Sequence, residues 1–182
     1  MAKKKYIPTK ELIKIVESDL IKGKSKNELF EELSIEYYES NTIAKAIAMF
    51  PDNILKKKYN MFNTFLLLLI AIYVINKMFD ICSYVLINPV LGLIILAIYL
   101  PISLWIAMKI YRPRAYIYNI IGVLSILSVL YSLKGFDGSS PWVGSFMFST
   151  LIAVLSYYIG SRMFPNYGFR GPKKDSEGKY IL

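Results

Sequence analysis

Few residues of this sequence are of types that carry out chemistry, and their spacing narrows that chemistry further. Histidine is absent, which removes the commonest general base and the commonest metal ligand. Cys82 is the one cysteine, so the chain can build neither an intramolecular disulfide nor a cysteine metal cluster. Intramembrane proteolysis would need a serine with a histidine, a pair of mid-span aspartates or a histidine-rich zinc motif, and none of the three can be assembled. Gly135, Gly138 and Gly144 flank a short predicted turn without the lysine and helix context of a phosphate-binding loop. The expectation is a protein with no cofactor, no metal and no enzymatic activity.

The polar groups that remain point to packing and to lipid. Lys77 and Asp80, and again Lys134 and Asp137, are three residues apart, a spacing that permits weak local pairing. With Lys109 and Arg162 they fall at the ends of apolar stretches, where long side chains can snorkel to the interface. No charge lies mid-stretch, so a proton relay or ion-coupled site is not supported. Lys56, Lys57 and Lys58 can contact anionic lipid, at about 1 kcal/mol per lysine near the surface, or can serve only to fix the direction of the span that follows them. Ser145, Ser149, Ala153, Ser156 and Gly160 fall within about 80° of one another on a helix. Such a stripe of small residues lets helices approach closely. Gly122, Ser125, Ser128 and Ser132 make a looser set on the preceding stretch, so packing of the third span against the fourth is expected, with dimerisation or a polar pathway as alternatives. Asn76, Asn88 and Asn119 suit capping or interhelical bonding.

The elements that position these groups follow from hydropathy. In 182 residues, 55% are hydrophobic and mean hydropathy is positive, which places the chain outside the soluble class. Apolar stretches at about 61–79, 89–111, 116–133 and 141–164 each approach the roughly 20 residues that cross a bilayer. Backbone in lipid must satisfy its own hydrogen bonds, so each stretch should be a helix. Asn88-Pro89 reads as an N-cap and first-turn proline, Pro101 as a kink, Ser140 as a cap and Pro165 as a stop. Tyr59, Tyr111, Tyr116 and Trp142 suit interface anchoring. The basic start lacks an apolar run after it, so a cleavable signal peptide is not expected.

Lysine and arginine number twelve before the first span, three in the 109–114 connection and five from Arg162 at the end of the fourth span through the tail, against only Lys77 and Lys134 on the other side. That asymmetry places both termini in the cytoplasm. The fold class expected is all-α: a four-helix transmembrane bundle (59–165) in the plasma (inner) membrane, with a small N-terminal cytoplasmic helical head (1–58) and a flexible cytoplasmic tail (166–182).

The head reads as three amphipathic helices. Leu12, Ile13, Val16 and Leu20 lie on the first, which ends near Gly23. Leu29, Phe30 and Leu33 follow a capping box at Ser25-Lys26-Asn27-Glu28, and Ile43, Ile47 and Phe50 lie on a third helix over 36–50. About fifty residues is marginal for independent stability, so the head should dock on the membrane, on the bundle or on a partner. Its rhythm has the helix–turn–helix spacing of DNA-binding heads, but the recognition end would be Glu36-Tyr37-Tyr38-Glu39, two carboxylates beside phosphates, which disfavours nucleic acid. Lys77-Met78-Phe79-Asp80 and Lys134-Gly135-Phe136-Asp137 suggest a duplicated hairpin, as in parallel-repeat transporters.

Three functions remain open on the sequence: an accessory or regulatory membrane protein that binds a protein partner through its head, an oligomeric small transporter or channel subunit, and a membrane-tethered DNA-binding regulator. The partners implied are the lipid bilayer and either another protein or further copies of the chain. Reporter fusions ending at residues 112 and 138 are expected to report opposite compartments; the same compartment for both would refute the threading.

Overall fold

The head begins where Pro8 hands over to α1 (Thr9–Ile21). Gly23, at φ +92°, ends that helix in the left-handed conformation glycine adopts without strain. Ser25 opens α2 (Lys26–Glu36): its Oγ accepts from the Glu28 amide at 3.3 Å, and its own amide donates to Glu28 Oε2 at 3.0 Å. These two bonds satisfy helix N-terminal donors reciprocally. The third helix, α3 (Ser40–Ala48), is shorter than its predicted 36–50 because α2 itself takes Glu36 and Tyr37 turns extended. Leu12 and Val16 of α1, Leu29 and Leu33 of α2, and Ile43 and Ile47 of α3 close one core with Phe50.

The computed structural model describes residues 6–37, 39–134, 140–169 and 171–182. Tyr38, Arg170 and the predicted turn with Gly135, Phe136, Asp137 and Gly138 lie outside the described residues, as do the side chains of Lys134, Ser140 and Trp142.

Four long helices follow: α4 (Asn53–Ile87), α5 (Pro89–Tyr111), α6 (Ala115–Lys134) and α7 (Ser140–Met163). Each is long and apolar enough to cross a membrane, and together they make the chain a candidate multi-pass membrane protein. Asn88 caps α5 as its position before proline predicts, its Oδ1 accepting from the Leu91 amide at 3.3 Å. Pro101 lies within α5, which runs on through it although proline cannot donate to the carbonyl four residues back.

The first span departs most from expectation. Hydropathy alone marks 61–79, whereas α4 is one helix of 35 residues, roughly 52 Å at 1.5 Å per residue. No glycine or proline interrupts residues 53–87, and nothing else in that stretch breaks a helix. Lys77 and Asp80 pair at 2.9 Å, but inside α4, about two turns before its end. The equivalent helix ends that suggested a duplication are therefore not found, since α4 has 35 residues and α6 has 20.

Within the bundle, α6 pairs most extensively with α7, α4 lies against α5 and α7, and α5 barely meets α6. Leu66, Ile117 and Ile159 are fully buried where α4, α6 and α7 meet. Apolar burial gains little over lipid, so close approach of backbones matters more. At the α4–α5 hairpin a Cβ on Gly92 would lie 2.6 Å from Val85 Cγ2 and 2.7 Å from Val85 Cα, a space that only glycine fits.

The tail, expected to be a mobile peptide, folds back on the head. β1 (Tyr167–Gly168) pairs antiparallel with β2 (Gly171–Pro172), and Lys174 bridges Tyr180. Tyr180 packs edge-on against Phe30 of α2 with ring centroids 6.0 Å apart, and Leu182 joins the head core.

Gly92→Ala is expected to destabilise the hairpin by about 1–3 kcal/mol, the cost of overpacking, whereas Gly122→Ala, whose Cβ meets nothing within 4 Å, should be neutral; melting of both in detergent compares them. The head should also lose stability in acid. Lys22 holds the Asp19 carboxyl below its ordinary value, and the Ser25 amide does the same for Glu28. Both contributions are complete above the unfolded values of 3.8 and 4.5 and vanish as pH falls through the lowered native ones. Thermal melting across that range should show the loss, and Glu28→Gln should flatten part of it.

Candidate functional site at the junction of head and bundle

Only Arg112, Pro113 and Arg114 connect α5 to α6. Pro113 cannot extend α5 and is itself buried, so the arginine after it is turned toward the head rather than into solvent. Arg114 is 8% exposed. Its Nη2 donates to Glu17 Oε2 of α1 at 2.9 Å, and its Cζ lies 3.7 Å from the centre of the Phe50 ring. The planar guanidinium allows both contacts at once: edge to carboxylate, face to ring. Nη1 is buried with no hydrogen-bond acceptor among the described residues. Beside it the Ala115 amide, first in α6, donates to the Met49 carbonyl at 3.0 Å. Lys26 of α2 and Asp52, just before α4, form a second link at 3.3 Å. Burial pushes the Lys26 ammonium below its usual value, against the opposing pull of Asp52.

One helical turn further along α6 stands Tyr118. Its hydroxyl donates to Asn63 Oδ1 of α4 at 2.5 Å, and Asn63 Nδ2 donates to the Ile110 carbonyl of α5 at 2.9 Å. Ile110 is in the last turn of α5, where carbonyls have no partner in their own helix. Asn63 fills that need, and three helices are tied at one level where no water competes. The Tyr118 ring also fits against α7: a Cβ on Gly160 would lie 3.0 Å from Tyr118 Cβ, and Phe164 is 5.7 Å away between ring centres.

The residues singled out from sequence are placed as follows. Lys56, Lys57 and Lys58 are exposed on the first turns of α4, and Lys58 Nζ lies 5.6 Å from the Tyr59 ring centre. Of the small-residue stripe, Ser149 and Ser156 are buried, Ser145, Ala153 and Gly160 half-buried. Ser149 and Ser128 share a hydrogen bond of 3.0 Å between α7 and α6. Asn119 is half-buried and Asn76 exposed. In α3, which a DNA-binding reading would lay in a groove, five of nine residues are buried, and β2 packs against it.

Sequence reasoning missed Asn63 and undervalued Arg114. Asn63 is an amide inside an apolar run, which in lipid demands a partner. Arg114 entered only as one charge in a topology census, although a proline-containing connection this short leaves its last residue little freedom to face water. Among the described residues no three histidine, cysteine or acidic side chains gather as a metal site would require. What the junction can do is mechanical and electrostatic: it ties α1 to the start of α6, and through Tyr118 to α4 and α5. Comparison with protein-family models, curated proteins and solved structures finds no match to the chain.

Tyr118→Phe removes one donor and keeps the ring, so a loss of about 1 kcal/mol is expected. Asn63→Leu, which also orphans the Ile110 carbonyl, should cost more. Thermal unfolding in detergent measures both, and equal stability of all three proteins would show that the network holds nothing together.

Proposed function

We propose that this chain is a non-enzymatic regulatory or accessory protein of the plasma (inner) membrane, whose head binds a protein partner in the cytoplasm and passes that engagement to the membrane helices. The observation that carries the reading is Arg114, which pairs with Glu17 on the head and opens the helix that bears Tyr118. A displacement of α1 acts on the N-terminus of α6, and the next turn of α6 holds α4 and α5. The unpaired Nη1 supports a contact that can be exchanged, because a buried donor without an acceptor costs stability and weakens the closed state.

The orientation rests on the lysine and arginine asymmetry, with twenty on the head side against two. The partner surface rests on α2. Its outer side carries the exposed Glu31 and Glu36 around Ile35, which is 76% exposed. Carboxylates are repelled by anionic lipid, so this side suits a basic protein surface better than the bilayer.

A second reading, an oligomeric transporter or channel subunit, draws on a cleft of about 430 Å³ between α4, α5, α6 and α7, where Tyr73, Tyr99, Ser103, Ser125 and Ser128 are the polar groups. Its lining carries no charge and is otherwise aliphatic, which ranks it second. Protein that stays monomeric in native-like lipid would remove it.

A photo-crosslinking residue at position 35, in intact membranes, is expected to give one discrete adduct with another protein. Arg114→Ala, which leaves the outer side of α2 untouched, should reduce its yield severalfold. No adduct, or adducts only between copies of the chain, would count against a partner bound by the head.

A further inference from the structure

A groove of about 640 Å³ runs down the outside of α6 and α7. Its floor is the small-residue surface of Gly122, Ala153, Ser156 and Gly160, and the exposed Val123, Ile126 and Val154 line it further from the head. At the head end the tail hairpin closes it: Tyr167, Gly168 and Phe169 stand over the groove, and Lys173 lines the same opening. The groove is therefore apolar along the membrane and cationic at its mouth. Among the described residues Lys173 has no ion-pair partner.

Ser156 sets this groove apart from an ordinary small-residue stripe. The residue is fully buried, and its hydroxyl has no hydrogen-bond partner among the described residues. Ser149, two helical turns earlier, has found Ser128, and Thr150 and Ser161 bond back to α7's own carbonyls. A buried hydroxyl without a partner costs stability, and Ser156 leaves one such donor unsatisfied in a residue that lines the groove.

We infer that the groove holds one phospholipid with an anionic headgroup. Its phosphate pairs with Lys173, an acyl chain lies over Gly122 and Ala153, and the Ser156 side chain, covered in this structure, turns outward to donate to an ester carbonyl drawn beneath the headgroup. The tail hairpin argues for a lipid over a helix of a second copy. A membrane-crossing helix laid along α6 and α7 would continue through the space that Tyr167, Phe169 and Lys173 occupy, whereas a lipid ends there. Shape and charge match an amphiphile whose charged end stops at the membrane surface. The inference is independent of the partner proposed for the head.

The test uses the full chain, purified and exchanged into mixtures of phosphatidylglycerol and phosphatidylcholine with matched chains, with retained lipid read by native mass spectrometry. One phosphatidylglycerol per chain is expected, in preference to phosphatidylcholine. Lys173→Ala should reduce that preference about fivefold, the weight of one lysine beside anionic lipid. Gly122→Leu fills the groove, and since a Cβ there meets nothing within 4 Å, it should abolish retention, at least tenfold, without lowering the melting temperature. Equal retention of the two lipids by the unaltered chain would overturn the inference, as would undiminished retention by Gly122→Leu. So would a disulfide-linked dimer formed through Gly122→Cys in a Cys82→Ser background, which would give the groove to a second copy.

Discussion

A guanidinium that is almost withdrawn from water must be paired, and in this protein the pairing decides how two very different parts meet. Arg114 belongs to the connection between α5 and α6, yet its contacts are Glu17 and Phe50 of the head. Leaving a buried charge without its partner costs several kcal/mol. The head therefore cannot lift away from the bundle without exposing the arginine to water or stranding it. The backbone bond from Ala115 to Met49 lies alongside, so side chain and main chain fix the same interface.

From that interface the rest of the architecture can be followed. Three short helices make a small core that would be marginal alone. Here it is completed from two sides, by the α5–α6 connection and by the returning tail, whose Leu182 and Tyr180 pack against it. Residues far apart in sequence thus build one cap at the end of the bundle. Beneath the cap the Tyr118, Asn63 and Ile110 bonds hold α6, α4 and α5 at one level. Further from the head the restraint weakens: α5 stands away from α6, and the Gly92 contact with Val85 is what keeps the α4–α5 hairpin tight.

How much of this the residues alone convey depends on the kind of signal. The Asn88-Pro89 start of α5 and the capping box at Ser25 were readable because each is a local pattern with one physical meaning. The extent of α4 was not, because hydropathy marks where lipid lies while helix ends are set by breakers, and none occurs between Asn53 and Ile87. The fold of the tail was hidden by its composition: glycine, proline and charge suggest mobility, and only the tertiary partners Phe30 and the head core show where it goes. Asn63 and Arg114 needed the third dimension most, since each acquires its role from residues 47 to 97 positions away.

The Glu17–Arg114 pair holds head and bundle together, and a double-mutant cycle of Glu17→Gln and Arg114→Ala, read by thermal unfolding in detergent, measures that coupling directly. A coupling energy of about 1 kcal/mol or more is predicted, with loss of Ala115 amide protection in both single variants. Additive effects within about 0.3 kcal/mol, and an Ala115 amide protected as before, would contradict it.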